Sequence, residues 1–169
     1  MGIATLEIIL AMTIIAIFAT ITVPKMARVL DKVALNYEMK RLYSELNFVR
    51  SLSKIAWFKP SIFKDKLDTN THNDVRITVY KSGGYYELFR NIDNQNYPIN
   101  KHYLPRGFKI NYSNLNMTIT FDNDGSARNA DINRSVANGH YILNSKLNDK
   151  AYIIFDSVGR FRGSYEAPK

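Results

Sequence analysis

The sequence predicts an α+β protein in which one long N-terminal helix packs on antiparallel β-sheets. Three features predict it. The run Ile3–Val23 is apolar and carries a single charge, Glu7. Beyond it, apolar residues recur at helical steps, with no glycine or proline from Met26 to Lys59. After Pro60 come short alternating segments separated by turn residues, at the density expected of antiparallel sheets packed on a helix. The 169 residues suffice for an anchor and one modest domain.

At 1.5 Å per residue, Ile3–Val23 reaches across the roughly 30 Å hydrocarbon core of a bilayer. A secretory signal peptide would need a basic n-region and a small-residue cleavage site after a shorter apolar core. Here only Met1 and Gly2 precede the run. A plain single-pass anchor would take Lys25 and Arg28 as its cytoplasmic flank, which puts the domain in the cytoplasm. Glu7 is unusual for either arrangement. A carboxylate at the centre of a span costs ~2.5–3.5 kcal/mol, and less near an end, where the helix dipole favours negative charge. Glu7 can snorkel to the interface. Alternatively, a cut after Gly2 would give Ile3 an α-ammonium, and Glu7 of a neighbouring subunit could neutralise it. Pro24 lacks a backbone donor and crowds the preceding turn. It either ends the helix at the membrane edge or kinks a helix that continues.

The continuation is expected to be amphipathic. Met26, Leu30, Val33 and Tyr37 start an apolar stripe that Leu35, Met39, Leu42, Leu46, Val49 and Leu52 carry on. Arg28, Asp31, Lys32, Lys40, Arg41 and Glu45 fall largely between them. Trp57, Phe58 and Pro60 close the helix. Arg50 and Lys54, four apart, read as a solvated face.

Residues Ser61–Asn73 read as a loop. Val75–Tyr80 and Tyr85–Arg90 read as a hairpin about Ser82-Gly83-Gly84. The Asn-rich stretch Asn91–Asn100 reads as a loop. Strands are expected at Phe108–Tyr112, Met117–Phe121, His140–Leu143, Ala151–Phe155 and Arg160–Tyr165, with turns at Asp122–Gly125 and Asn148-Asp149.

The absence of cysteine excludes disulfides, thiol nucleophiles and cysteine-bound metals. Asp122 and Asp124 before Gly125 lack the further oxygen ligands and terminal Glu of an EF-hand, so they read as a turn. His72, His102 and His140 have no metal-ligand spacing. With no nucleophile elbow, phosphate loop or dinucleotide fingerprint, the sequence points away from an enzyme, and no cofactor or metal is expected. The formal net charge is +8, which suits anionic lipid, nucleic acid or simple solubility.

Gly2, then Ile3-Ala4-Thr5-Leu6-Glu7, an unbroken apolar run and Pro24 resemble the type IV pilin and type II secretion pseudopilin superfamily at that family's spacing. The residue after the cut is Ile3, where the family usually has Phe or Met. The leader Met1-Gly2 lacks the usual basic residues. The resemblance implies a pilin-like fold and removal of residues 1–2 by prepilin peptidase, with methylation of the new amine. It implies a membrane and filament-core helix at 3–23, an amphipathic helix at 24–58 and an extracytoplasmic β-rich domain at 59–169. Glu7 and Pro24 would act in assembly. The implied partners are other pilins or pseudopilins, prepilin peptidase, an inner-membrane assembly platform, and membrane lipid before assembly.

Three further segments resemble the FimT/GspH branch: Leu46–Ala56, Phe121–Ser126, and Ile153–Arg162 with its Gly159-Arg160-Phe161-Arg162. In FimT-like members linked to natural transformation, such a segment is implied to touch incoming DNA. If the strand is extended, Arg160 and Arg162 point one way and Phe161 the other. Guanidinium groups roughly 7 Å apart can bridge phosphates of double-stranded DNA. Arg128, Arg134, Lys146 and Lys169 are candidates to join them. The competing reading is an edge strand protected by charge, in a pseudopilin with no DNA role.

Overall fold

The computed structural model describes residues 2–56, 74–92, 95–121, 124–129, 134–136, 139–156 and 160–168. The side chains of residues 2–4 are not among those described. The expected loop at Ser61–Asn73, the helix-closing Trp57, Phe58 and Pro60, and His72, Asp122, Gly159 and Lys169 lie outside the described residues, as does the side chain of Arg134.

Helix α1 runs from Gly2 to Ala56 and contains Pro24 within it. Two threonines of its apolar span bond back to the helix. Thr13 Oγ1 donates to the Ile9 carbonyl at 2.7 Å, and Thr20 Oγ1 to the Ile17 carbonyl at 2.8 Å. Hydrocarbon offers no other partners, so bonding back to the helix is what a lipid environment requires.

Among the described residues ten strands follow: β1 Asp74–Tyr80, β2 Tyr85–Ile92, β3 Gln95–Tyr103, β4 Lys109–Ser113, β5 Thr118–Phe121, β6 Ala127–Asn129, β7 Arg134–Ser135, β8 His140–Asn144, β9 Lys150–Phe155 and β10 Phe161–Ser164. They form a six-stranded sheet ordered β3-β2-β1-β5-β6-β7 and a four-stranded sheet ordered β10-β9-β8-β4. All pairings are antiparallel.

The core forms where both sheets meet one face of α1. Leu35, Met39, Leu42, Leu46 and Val49 are buried on the helix. Val75, Ile77, Val79, Tyr86, Leu88, Ile119 and Phe121 come from the large sheet, and Ile110, Tyr141, Leu143, Ile153, Phe155 and Phe161 from the small one. Strand alternation puts these residues on the inner faces.

Several expectations are corrected. Part of the loop expected at Asn91–Asn100 is strand: β2 extends to Ile92 and β3 begins at Gln95. Strand β3 is an edge whose side chains are exposed except for half-buried His102, so it shows no apolar alternation. Its register slips opposite Leu88 and Phe89, where Leu88 faces Asn100 and Phe89 faces Pro98, leaving Ile99 as the extra residue. Proline is tolerated at such an edge bulge because no ladder donor is needed there. Two short strands, β6 and β7, were not expected at all.

The helix stripe is corrected too. Met26, Leu30, Val33 and Tyr37 are 57–60% exposed, so burial begins at Asp31 and Leu35 rather than at Met26. Asp31 belongs to the buried face, where its Oδ2 accepts the Leu147 amide at 3.2 Å.

Candidate functional site

Helix α1 carries two apolar faces. At 100° per residue the buried stripe centres on one side. Met26, Leu30, Val33, Tyr37, Phe48 and Ile55 cluster about 160° away, each 46–67% exposed. This outer stripe is interrupted by Lys40, Ser44 and Ser51, and it runs back into the apolar span. There an 18-residue window reaches a mean hydropathy of 2.4, with none of it buried in the protein. The helix is therefore long and apolar enough to cross a membrane. Glu7 and Pro24 both lie on it. Ile3 starts its first turn, and the side chains of Gly2 and Ile3 are outside the description.

The basic edge is built on β10. Phe161 is buried against three rings: Tyr43 of the helix at 5.0 Å, Phe155 of β9 at 5.7 Å and Phe121 of β5 at 6.0 Å. Two residues on, a Cβ at Gly163 would meet Met39 Sδ at 3.3 Å. Strand β10 thus lies along the helix, Phe161 near Tyr43 and Gly163 near Met39, with Arg162 exposed between them and Arg160 exposed just before. Asp156, just past the end of β9, is tied to Arg160. Its carboxylate accepts the Arg160 amide at 2.7 Å, and its own amide donates to the Arg160 carbonyl at 2.8 Å. Among the described residues, neither arginine side chain has an ion pair.

The other candidates go elsewhere. Arg128 sits beside Thr120 on the outer face of the large sheet, away from the helix. Lys146 lies in the β8–β9 turn that docks on Asp31. From Asp31 to the helix residues beside Arg160 is about 20 Å along the axis. Arg134 pairs with Asn129 through its backbone. Arg160 and Arg162 therefore stay together, while Arg128 and Lys146 do not join them.

Two basic residues read as merely solvated lie nearer. Arg50 and Lys54 follow Tyr43 by two and three turns on the same side of α1. They contact the turn at Asp124–Ser126. A Cβ at Gly125 would come within 2.7 Å of Arg50 Nε and 2.8 Å of Lys54 Cε. Arg50 is half-buried rather than solvated. In that turn Asp124 accepts both the hydroxyl and the amide of Ser126 at 2.7 Å, which holds its carboxyl below the usual range. The spacing of Tyr43, Arg50 and Lys54 was the signal in the sequence, but it has meaning only once Tyr43 is known to face β10.

No protein-family model matches the chain, and no curated protein matches it. One solved structure is similar, the minor pseudopilin EpsH from the type 2 secretion system of Vibrio cholerae. It has a TM-score of 0.56 at 8% identity, over 77% of this chain and 95% of that one. At that identity the likeness is one of fold. The chain has the pilin-like α+β fold, a long N-terminal helix packed on antiparallel sheets.

Proposed function

We propose that the protein is a minor pilin or pseudopilin, a structural or priming subunit of a type IV pilus or type II secretion pseudopilus rather than an enzyme. The observation that carries this is the helix. A membrane-length apolar span continues as an uncovered apolar stripe on the side of α1 opposite its own domain. A monomer gains nothing from keeping such a stripe in water, since apolar patches of this extent mark sites of association. The fold shared with a minor pseudopilin supports the same reading. In this function residues 1–2 are removed by prepilin peptidase and the amine on Ile3 is methylated. Residues 3–23 leave the bilayer for the filament core, Glu7 sets register against a neighbour's N-terminus, and Pro24 loosens the helix locally. Residues 24–58 join the span to the β-rich domain, which faces outward from the cytoplasmic membrane.

The chain has no cysteine, so single-cysteine variants report cleanly. Val33→Cys and Phe48→Cys should crosslink in membranes to pilin-like partner subunits, and Glu7→Gln should abolish those crosslinks while the protein still inserts. A stripe that never crosslinks to protein would overturn the assignment.

A second reading, DNA contact during uptake, is favoured by one observation. Arg162 is exposed on an edge strand, and Arg160 just before it, along the side of the helix that bears Tyr43, Arg50 and Lys54. Binding would go to the phosphate backbone, be independent of sequence, and weaken steeply with salt. Full-length protein in micelles should retain duplex DNA at low salt and lose most of that binding in Arg160→Ala/Arg162→Ala. If the parent does not bind even at low salt, the edge is protected by charge and the role is structural alone.

A further inference from the structure

The end of the domain nearest the apolar span is basic. Strand β3 descends the helix, with Asn100 at Glu45 and His102 at Glu38, so the β3–β4 loop that follows lies toward the span. That loop packs on the β8–β9 turn, since a Cβ at Gly107 would meet Lys146 Cγ at 3.1 Å. The turn is pinned to the helix through the Leu147 amide, which donates to Asp31 at 3.2 Å. It is closed from within: the Ser145 amide donates to the Asp149 carbonyl at 2.8 Å, and the Asp149 amide to Ser145 Oγ at 3.0 Å. Asp31 follows Val23 by eight residues, so this face stands about 12 Å from the end of the span. Arg106 and Lys146 are exposed on it. Exposed Lys109 and Lys150 flank Asn144 on the outward face of the small sheet, at the same end. Lys25, Arg28 and Lys32 add three exposed cations on the helix between span and domain. At 100° per residue these three fall within about 60° of one another, on a flank of α1 clear of the outer apolar stripe.

We propose that this face docks on the anionic phospholipid headgroups of the leaflet next to the domain. The proposal rests on the reading of Ile3–Val23 as a membrane span. Among the described residues none of the seven cations has an ion pair. The carboxylates at this end are Asp31, engaged by the Leu147 amide, half-buried Asp149, and Glu166 beyond β10. Seven cations against three carboxylates leave a net +4, half of the chain's +8. Lys81 of the nearby hairpin turns instead onto the Tyr112 ring, 3.6 Å from its centroid. The cations come from separate segments of the chain and converge only in the fold, on the side that a membrane would face. Lys25 and Arg28 lie within a Debye length, about 8–10 Å, of the span's end, and long side chains bring the domain cations toward the same surface. Each Lys or Arg held near an anionic leaflet favours the docked state about fivefold. Between Lys146 and Lys150 the turn presents Leu147, 47% exposed, as an apolar tip that suits the headgroup boundary. Any occupant other than lipid would have to enter the gap of about 12 Å between span and turn.

The test uses full-length Leu147→Cys, labelled at its single cysteine with an NBD fluorophore and inserted into vesicles. One set is phosphatidylcholine alone and the other contains about a third phosphatidylglycerol. Both carry a headgroup nitroxide lipid that quenches the dye on contact. Quenching should be at least about twofold stronger in the anionic vesicles, and the difference should vanish near 1 M salt, where the Debye length is about 3 Å. Lys146→Gln/Lys150→Gln should lower the ratio of docked to undocked protein about fivefold per charge removed. Arg160→Gln/Arg162→Gln makes the same charge change at the far end of the domain and should leave quenching unaltered. Equal quenching in the two lipids, with the protein still floating with both at high salt, would overturn the docking and leave the span reading standing; the face would then be free for an acidic protein. An equal loss in the Arg160/Arg162 variant would overturn it too, by showing net charge at work rather than this face. Protein that inserts into neither vesicle would remove the span reading and the docking with it.

Discussion

Removing His102 should free the edge of the large sheet from the helix. His102 Nε2 lies 2.7 Å from Glu38 Oε2, and the two side chains are 12% and 4% exposed. Seven residues along the helix, Glu45 Oε1 accepts from the Asn100 side-chain Nδ2 at 3.1 Å. Strand β3 is therefore tied to α1 by two polar contacts from residues two apart, in place of apolar packing. The change His102→Phe keeps a ring beside Tyr86, whose centroid is 5.2 Å from that of His102. It leaves the Glu38 carboxylate buried without this partner, at a cost of about 3–5 kcal/mol. Glu38→Met leaves the imidazole unpaired and should cost about 1–3 kcal/mol. The double variant strands neither group, so it should be less destabilised than the sum by about 2 kcal/mol or more. Urea titration of the full-length protein in micelles gives these energies, and hydrogen exchange locates them. In His102→Phe, the amides of Gln95–Tyr103 should exchange faster before those of β1 or β9 do. A stability change under about 0.5 kcal/mol, with β3 exchange unaltered, would refute the claim that this pair holds the edge.

Two further outcomes follow from the core and the turn at the helix end. Burial, the largest cause, raises the pKa of Tyr86 and Tyr141 above the ordinary tyrosine value. Above pH ~10 an unfolded tyrosine ionises while these stay protonated, so the unfolded chain holds fewer protons and stability falls as pH rises. Their contribution is full below that pH and is lost as pH climbs through the raised values. Tyr141→Phe should reduce this slope by up to about 1.4 kcal/mol per pH unit. Among the described residues the Tyr141 hydroxyl has no hydrogen-bond partner, so the variant should lose no stability at neutral pH. Urea midpoints from pH 8 to 11 test both points, with the range set by tyrosine's usual pKa of ~10. Gly125→Ala combines φ of +83° with a contact 2.7 Å from Arg50 Nε, and should cost about 1–3 kcal/mol. Gly84→Ala, at φ +58° with its nearest neighbour 3.7 Å away, should show only the backbone strain of about 1 kcal/mol, and thermal unfolding compares the two.

The parts of the fold legible in the sequence are those in which periodicity reports burial. Leu35, Met39, Leu42, Leu46 and Val49 step by four and three, and Val75, Ile77 and Val79 alternate; both sets are buried. Strand β3 was hidden because its cross-strand partner and two helix carboxylates hold it, and neither leaves an apolar pattern. Strands β6 and β7 have three and two residues, too few to show a period. Periodicity also misled at Val33 and Tyr37. Apolar spacing shows that a helix has an apolar face, but not whether its own domain covers that face. Of the candidate surface residues, Arg160 and Arg162 share an edge because they are two apart where the chain enters one strand. The separation of Arg128 and Lys146 from them depends on strand order, which no local pattern encodes.

The two faces of α1 also constrain what can lie against the uncovered one. From Met26 to Ile55 the outer stripe advances 29 residues in eight turns, about 3.6 residues per turn. A left-handed supercoil needs a seam repeating every 3.5 residues, because only then does the seam stay turned toward a partner as the helices wind. This stripe keeps the period of a straight helix, so it stays parallel to the helix axis. A partner helix would lie along it without supercoiling, and the contact could extend unbroken into the apolar span. Lys40, Ser44 and Ser51 interrupt the stripe where the domain packs behind it, and between Met26 and Tyr37 it has no polar interruption. Contact should therefore be tightest next to the span and loosen toward the domain, so Leu30→Arg should impair assembly more than Ile55→Arg. Equal loss at both positions in the crosslinking assay would refute this gradient, and no loss at either would mean that the stripe is not the packing surface.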